Sequence, residues 1–458
     1  MTDSAPGKKP VAVFTQGSIL RHVMVMTVTG SIGLVSIFLV DLLSLLYISR
    51  LHDPSLTAGV GFATQILFFT TSVNIGLAIA ISALTSRAIG AQDRPRAQQI
   101  AASGLIHTVV VASAVGWLML PFRRDLLQLI GASGAPLDIG DQFLLWTLPS
   151  NQLMAMGMAL SGILRAAGDA RRSMYVTLIG AVVTALADPL LIIVFDLRTL
   201  GAAISTNLAR ATWVAIGLWG AVHVHGLIAW PNRKAVVRDI VPVAKIALPA
   251  ILTNIAAPVA NAYSVHAMAQ FGAAAVAAGT IIDRVAPVAF GVLFAMSGAV
   301  GPIIGQNFGA GLYGRVRATL SNCFGFIISY VVVVWGILFF AQDGIVWLFS
   351  ASGDTAQLVR FFCNWGAAAW IFLGCIFAAN AAFNTLDKAF LAALFNWGRA
   401  TLGTIPFVTW GASRFGPEGV LLGILAGATL FGVGAIVSAY GVVGRLARKV
   451  RPEKSALS

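Results

Sequence analysis

The stretch Ser36-Ile-Phe-Leu-Val-Asp41-Leu-Leu-Ser44-Leu-Leu46 closes an apolar run that begins near Ile19, and it places one carboxylate deep inside that run. The run exceeds the roughly 20 residues a helix needs to cross a bilayer. Hydrocarbon offers backbone groups no hydrogen-bond partner, so a long unbroken run has to be helical; barrel strands would be about ten residues long and alternating. Comparable runs recur along the chain, among them 324–340 and 421–440. The 458 residues are 58% hydrophobic and only 10% charged, with a mean hydropathy of +0.86. Such a chain lacks the polar surface of a soluble protein and belongs in lipid.

The formal net charge is +13, but the basic residues form no single patch, which argues against a nucleic-acid partner. They sit between the apolar runs and alternate in density. Lys8, Lys9, Arg87, Arg94, Arg96, Arg171, Arg172, Arg233, Lys234, Arg315, Lys388 and Arg445 fall in one set of connections; Arg50, Arg123, Arg124, Arg198, Arg360 and Arg414 fall in the other. Short cytoplasmic loops are the Lys/Arg-rich ones. Both termini are therefore expected in the cytoplasm, with an even number of crossings of the inner (plasma) membrane. Cys323, Cys363 and Cys375 lie in or beside apolar segments without metal-ligand spacing, so neither a metal site nor a disulfide framework is expected. No nucleophile elbow, phosphate loop or spaced His cluster points to an enzyme, and no cofactor is implied.

Working outward from Asp41 reveals an internal repeat. Ser86-Arg-Ala-Ile-Gly90-Ala ends the second apolar run and Gly305-Gln-Asn-Phe-Gly309-Ala ends the eighth. Ala58-Gly59 answers Ala278-Gly279, Asp41 answers Asn261, Gly168-Asp169 answers Leu386-Asp387, and Ala211-Thr212 answers Ala428-Thr429, all at offsets of 217 to 220. The order at one offset, more than any single pair, marks a duplication. Twelve helices are expected at roughly 17–49, 55–88, 96–121, 136–167, 171–195, 199–225, 240–270, 273–308, 316–341, 354–385, 388–412 and 417–446. This is an all-α integral membrane protein of two six-helix lobes. Six crossings per half make the repeat parallel, with a pseudo-twofold axis along the membrane normal. The expected division is an N-terminal lobe at 1–225, a cytoplasmic linker at 226–239 containing Pro231, and a C-terminal lobe at 240–458. One lobe pair is a complete unit, so a monomer is expected.

An ionisable residue inside a membrane helix costs at least about 2.5 kcal/mol, which makes it a functional candidate by default. Asp41 in the first helix and Asp188, in Thr184-Ala-Leu-Ala-Asp188-Pro189, stand out in the first half. Asp41 is answered by the neutral Asn261, and Asp188 falls opposite Ile405 or Pro406. Two carboxylates on one cavity can exchange a proton near physiological pH. A buried Asp can also serve only to cap a kinked helix or pair with an arginine. Thr184, Asn74 and Asn207 are expected to add oxygen ligands for the coupling cation. Ser44 and Tyr47, with Asn261, Tyr263, His266, Asp283 and Arg284 of the second half, are candidates for a small-molecule substrate cavity. Adjacent helical residues point about 100° apart, so Asp283 and Arg284 are not one ion pair.

Val40-Asp41, Leu164-Arg165-Ala-Ala-Gly168-Asp169, Ala187-Asp188-Pro189, Gly201-Ala-Ala-Ile-Ser205-Thr206 and Gly305-Gln306-Asn307-Phe-Gly309-Ala310-Gly311 with Arg315 together resemble the multidrug and toxic compound extrusion family. The resemblance runs from about Ile19 to Leu446. It implies a two-lobe exporter that alternates between inward and outward openings and exchanges a proton or sodium ion for an organic, cationic drug-like substrate. It also implies that Asp41 and Asp188 match the N-lobe cation site of prokaryotic members. Two positions depart from the pattern. Thr184 stands where the family often has Asn, and Met26 or its neighbours stand where it often has a proline in the first helix. A lipid-linked oligosaccharide or lipid flippase of the same superfamily is the alternative, kept open by Arg210, Arg284 and Arg399.

Overall fold

The computed structural model describes residues 12–455 except 50, 52 and 231. Lys8, Lys9, Arg50 and Pro231 lie outside the described residues. Helices follow one another throughout: α1 Ile19–Ser49, α2 Pro54–Gly90, α3 Arg94–Met119, α4 Arg123–Leu129, α5 Gly134–Thr147, α6 Asn151–Ala166, α7 Ala170–Asp188, α8 Arg198–Leu218, α9 Arg233–Ala269, α10 Ala273–Gly309, α11 Tyr313–Leu348, α12 Gly353–Asn364, α13 Ala369–Thr385, α14 Ala389–Gly398 and α15 Ile405–Ser455. No strand occurs among the described residues.

Nine helical stretches among them are long and apolar enough to cross a membrane, and one, Ala389–Arg448, is 60 residues long. That stretch holds two crossings parted at Gly416, whose φ of 61° suits only a residue without a Cβ. The pair α5–α6 and the helix α8 complete twelve crossings, six in each half. The short amphipathic α4 was not expected from the sequence, and α11 runs past 341 to Leu348. Helix starts follow local chemistry. Asp53, Asp93 and Asp169 each accept a hydrogen bond from the first-turn N–H of Ser55, Arg96 or Arg172 at 2.9–3.0 Å.

The duplication extends to irregularities that composition does not announce. The fourth crossing breaks at a 3-10 turn, Leu148–Ser150, and the tenth breaks at Gly366–Ala368, the repeat-related place. Only the first of these turns contains a proline. The sequence reading had each crossing as one uninterrupted helix. Likewise Pro189 and Pro406 are repeat mates, and each lies beside a π-helical segment, Pro189–Val194 in the fifth crossing and Arg399–Gly403 in the eleventh. A proline cannot donate to the preceding turn, and the wider π turn absorbs the mismatch.

Contacts divide the chain into two compact units. Unit 1 comprises the segment ending at Gln16 together with Ile32–Ile251 and Gly305–Gly311; unit 2 comprises Gly17–Ser31, Leu252–Ile304 and the residues from Leu312 onward. The first part of α9 therefore belongs with unit 1. Its Asp239, 1% exposed, receives Arg96 at 2.8 Å and the Ser103 hydroxyl at 2.7 Å from α3, and the His107 ring lies 2.9 Å from the Val236 carbonyl. Within unit 1 the ends of α2 and α10 meet reciprocally. A Cβ on Gly90 would lie 2.0 Å from the Gln306 carbonyl oxygen, and one on Gly309 would lie 2.0 Å from that of Arg87. The two sequence motifs that revealed the repeat thus touch each other through their backbones. Gln306 also accepts from Phe14 N–H at 2.9 Å and donates to the Ala166 carbonyl at 2.8 Å.

Of the arginines assigned outside, four are paired with nearby acids: Arg123 with Asp141, Arg124 with Asp138, Arg198 with Asp196 and Arg360 with Asp343, at 2.6–3.4 Å. The first helix carries no proline and is continuous from Ile19 to Ser49.

Candidate functional site

Unit 1 gathers its two intramembrane acids. Ser44 on α1 donates its hydroxyl to Asp188 Oδ2 at the end of α7, and Asp41, one turn before Ser44, shares that face of α1. Asp41 and Asp188 lie within electrostatic range of each other. Their settings differ: Asp188 is 1% exposed, whereas Asp41 is exposed. Pro189 follows Asp188 immediately, and the π turn it starts leaves the acid at the junction of two helix types. Ser205 Oγ, 0% exposed, reaches Asp188 from α8 and is a second hydroxyl donor to its carboxylate beside Ser44. A buried carboxylate that has hydroxyl donors but, among the described residues, no basic side chain paired with it is costly to keep ionised, so a proton or small cation is favoured there. Ser205 belongs to this set, although the sequence reading singled it out only as part of a motif. Its signal was the four-residue interval from Gly201, which packs against the Leu191–Ile192 backbone and so brings this turn of α8 to α7.

The other expected ligands each have hydrogen-bond partners of their own. Thr184 donates to the Gly180 carbonyl of its own helix at 3.2 Å. Asn74, fully buried, donates to Asn151 Oδ1 at 2.8 Å, joining α2 to α6. Asn207 and Arg210 on α8 brace the break in the fourth crossing. Arg210 donates to the Thr147 carbonyl at 2.7 Å and to Ser150 Oγ at 2.6 Å; Ser150 donates to Asn207 Oδ1, and Asn207 donates to the Trp146 carbonyl. A broken turn frees carbonyls that would otherwise lie unpaired in lipid, and these two side chains satisfy them. Tyr47 packs beside the cluster of Ile48, Leu56 and Ile192.

In unit 2 the repeat mate of Asp41 is Asn261, and its amide hydrogen-bonds Asp283 of α10. Both residues are exposed, as are Arg284 and His266. The Tyr263 hydroxyl lies 2.5 Å from Thr409 Oγ1. No group of three or more His, Cys, Asp or Glu side chains suited to a metal occurs among the described residues.

In the connection between α6 and α7, Asp169 is drawn in three directions. Burial would raise its proton affinity, but the His225 ring at 2.8 Å, the Arg172 guanidinium and the Arg172 N–H hold the carboxyl well below the usual range.

The two halves carry the same family signature: the MatE model matches residues 31–190 and again 249–410. The chain belongs to the MatE family. This is a family of membrane transporters, and the protein is a multi-pass membrane protein. It is 26% identical to an FAD transporter of Shewanella oneidensis over 90% of this chain and 92% of that one. It is 22% identical to the multidrug export protein MepA of Staphylococcus aureus over 94% and 96% of the two chains. Its fold matches the Vibrio cholerae MATE transporter VcmN in the bent form with a TM-score of 0.88, at 23% identity and covering 93% and 98% of the two chains.

Proposed function

We propose that this MatE protein exports an organic solute in exchange for a proton or sodium ion by alternating access, with Asp41, Ser44, Asp188 and Ser205 of unit 1 as the seat of the coupling ion. The observation that carries the reading is the buried Asp188, held by the Ser44 and Ser205 hydroxyls with no basic side chain paired to it among the described residues, within electrostatic range of the exposed Asp41. Asp41 meets the ion first, and Asp188 retains it away from water. Binding neutralises charge at membrane depth, so it favours the conformation in which the acids are most enclosed. Coupling requires the ion to bind two conformations unequally, since equal affinity shifts nothing. Release to the cytosol then returns the carrier for another solute.

If the acids seat the ion, they say nothing of the solute's charge. A drug-like solute is supported by the multidrug relative from Staphylococcus aureus; a phosphate-bearing one is supported by the FAD transporter relative. The test is exchange in proteoliposomes with an imposed pH gradient, or a sodium jump at fixed pH. Asp41→Asn and Asp188→Asn should each remove ion-driven transport while the purified variants remain monodisperse. Undiminished transport in both variants overturns the proposal.

A further inference from the structure

Unit 1 accounts for its buried arginines. Arg210 is held by Thr147 and Ser150, and Arg165 donates to the Ser161 and Ser173 hydroxyls at 2.8 and 3.2 Å. Unit 2 does not do the same for Arg399. This residue opens the π segment in the eleventh crossing, about ten residues into the helix from Ala389. Its Nε, like that of Arg165, is buried without a hydrogen-bond partner, but here, among the described residues, no hydroxyl, carbonyl or acid holds the rest of the guanidinium either.

The lipid-facing side of this crossing is marked by Phe390, Leu394 and Leu402, which are 69%, 52% and 69% exposed. Arg399 is on another side. It follows buried Asn396 by three residues and precedes buried Gly403 by four, close to one π turn. Asn396 donates to Asn380 Oδ1 of α13 at 3.0 Å, and Gly403 faces Phe431 of α15. The arginine therefore emerges off the lipid-facing side, between Asn396 and Gly403, without a counter-charge among the described residues. A cation at membrane depth that is neither paired nor braced is a functional candidate, and a π segment frequently marks a functional site.

We propose that Arg399 is an anion-binding subsite of unit 2 which receives a phosphate or carboxylate group of the transported solute. The inference rests on the transporter reading above and adds the charge of the solute. Its chemistry is the planar guanidinium fork, which matches two oxygens of such a group where an ammonium would offer only a point charge. The acids of unit 1 are left to the coupling ion, so one carrier handles a cation and an anionic solute at different places. The same fork would also fit a phospholipid headgroup, and the experiment separates the two.

Purified full-length protein in phosphatidylcholine nanodiscs, without any ion gradient, is titrated with flavin mononucleotide and with riboflavin, which share a fluorophore and differ by one phosphate. The wild type should bind the nucleotide about 10- to 100-fold more tightly. Arg399→Gln should erase that preference, Arg399→Lys should keep part of it, and Arg360→Gln, at an exposed arginine paired with Asp343, should keep it whole. Equal affinities in the wild type, no binding of either flavin below about 1 mM, or an undiminished preference in Arg399→Gln overturns the proposal. Loss of the preference in Arg360→Gln instead moves the anion away from Arg399 and also overturns it. Loss of nucleotide binding on changing the discs to phosphatidylglycerol overturns a solute site in favour of a headgroup site. If Arg399→Gln does not fold, the Lys variant carries the test, because an unchanged preference in it denies the fork a role. The titration needs no ion coupling, so its failure and that of the exchange assay are distinguishable.

Discussion

Unit 1 and unit 2 share a framework and differ in what they leave open. The fourth and tenth crossings break at the same repeat position, and the fifth and eleventh carry the same proline. On that common scaffold unit 1 buries Asp188 without a basic partner among the described residues and braces Arg165 and Arg210; unit 2 replaces Asp41 by Asn261 and leaves Arg399 unbraced. A backbone irregularity creates a place where polar groups can be exposed inside the bilayer. Which group occupies the place then decides the chemistry. Duplication supplies the first and divergence the second.

The comparison breaks most visibly at the acids. Asp41→Asn and Asp188→Asn should each lower gradient-driven transport by about 100-fold or more, and the double variant should be no worse than either alone, because groups acting as one site are not additive. Additive losses, measured in the same proteoliposomes, would mean two independent sites. Next in size is the glycine contact in unit 1. Gly90→Ala or Gly309→Ala forces a Cβ against backbone and should destabilise by about 1–3 kcal/mol or more, whereas Gly279→Ala, with open space around it, should be neutral in thermal melts.

The arginines offer a sharper contrast of similar size. Arg210→Met leaves the Thr147 carbonyl and Ser150 hydroxyl without their donor and should cost about 1–3 kcal/mol. Arg399→Met removes no bond and should cost little, so the two melting curves should differ in that order. The smallest effect concerns Asp169. Its carboxyl titrates lower when folded than when unfolded, so its stabilisation is full above the unfolded value near 4 and fades as the pH falls toward the folded value. Asp169→Ala should lower stability by about 1 kcal/mol at pH 7. That gap should narrow in melts taken at successively lower pH below about 4.

Much of this was legible in residues. Asp41 and Asp188 declared themselves because a carboxylate in an apolar run has few innocent explanations. Asn74, Asn207 and Thr184 did not reveal their places, because a neutral polar side chain in a helix can equally bond its own turn, a neighbouring helix or a ligand. Asn207 serves a break in a helix that is far away in sequence. Ser205 was hidden for the opposite reason, being small and common. The breaks themselves were half visible: Pro149 suggests one, while Gly366–Ala368 carries no breaking residue.

The sequence by itself determined the membrane, the helices, the twelve crossings and the duplication, because hydrocarbon forbids unpaired backbone and because a repeat at one offset survives in the order of residues. Tertiary structure alone decided which polar groups have partners. Hydrogen bonding is short-ranged, and partners such as Ser44 and Asp188, or Arg210 and Thr147, are brought within reach only when helices far apart in the chain pack together.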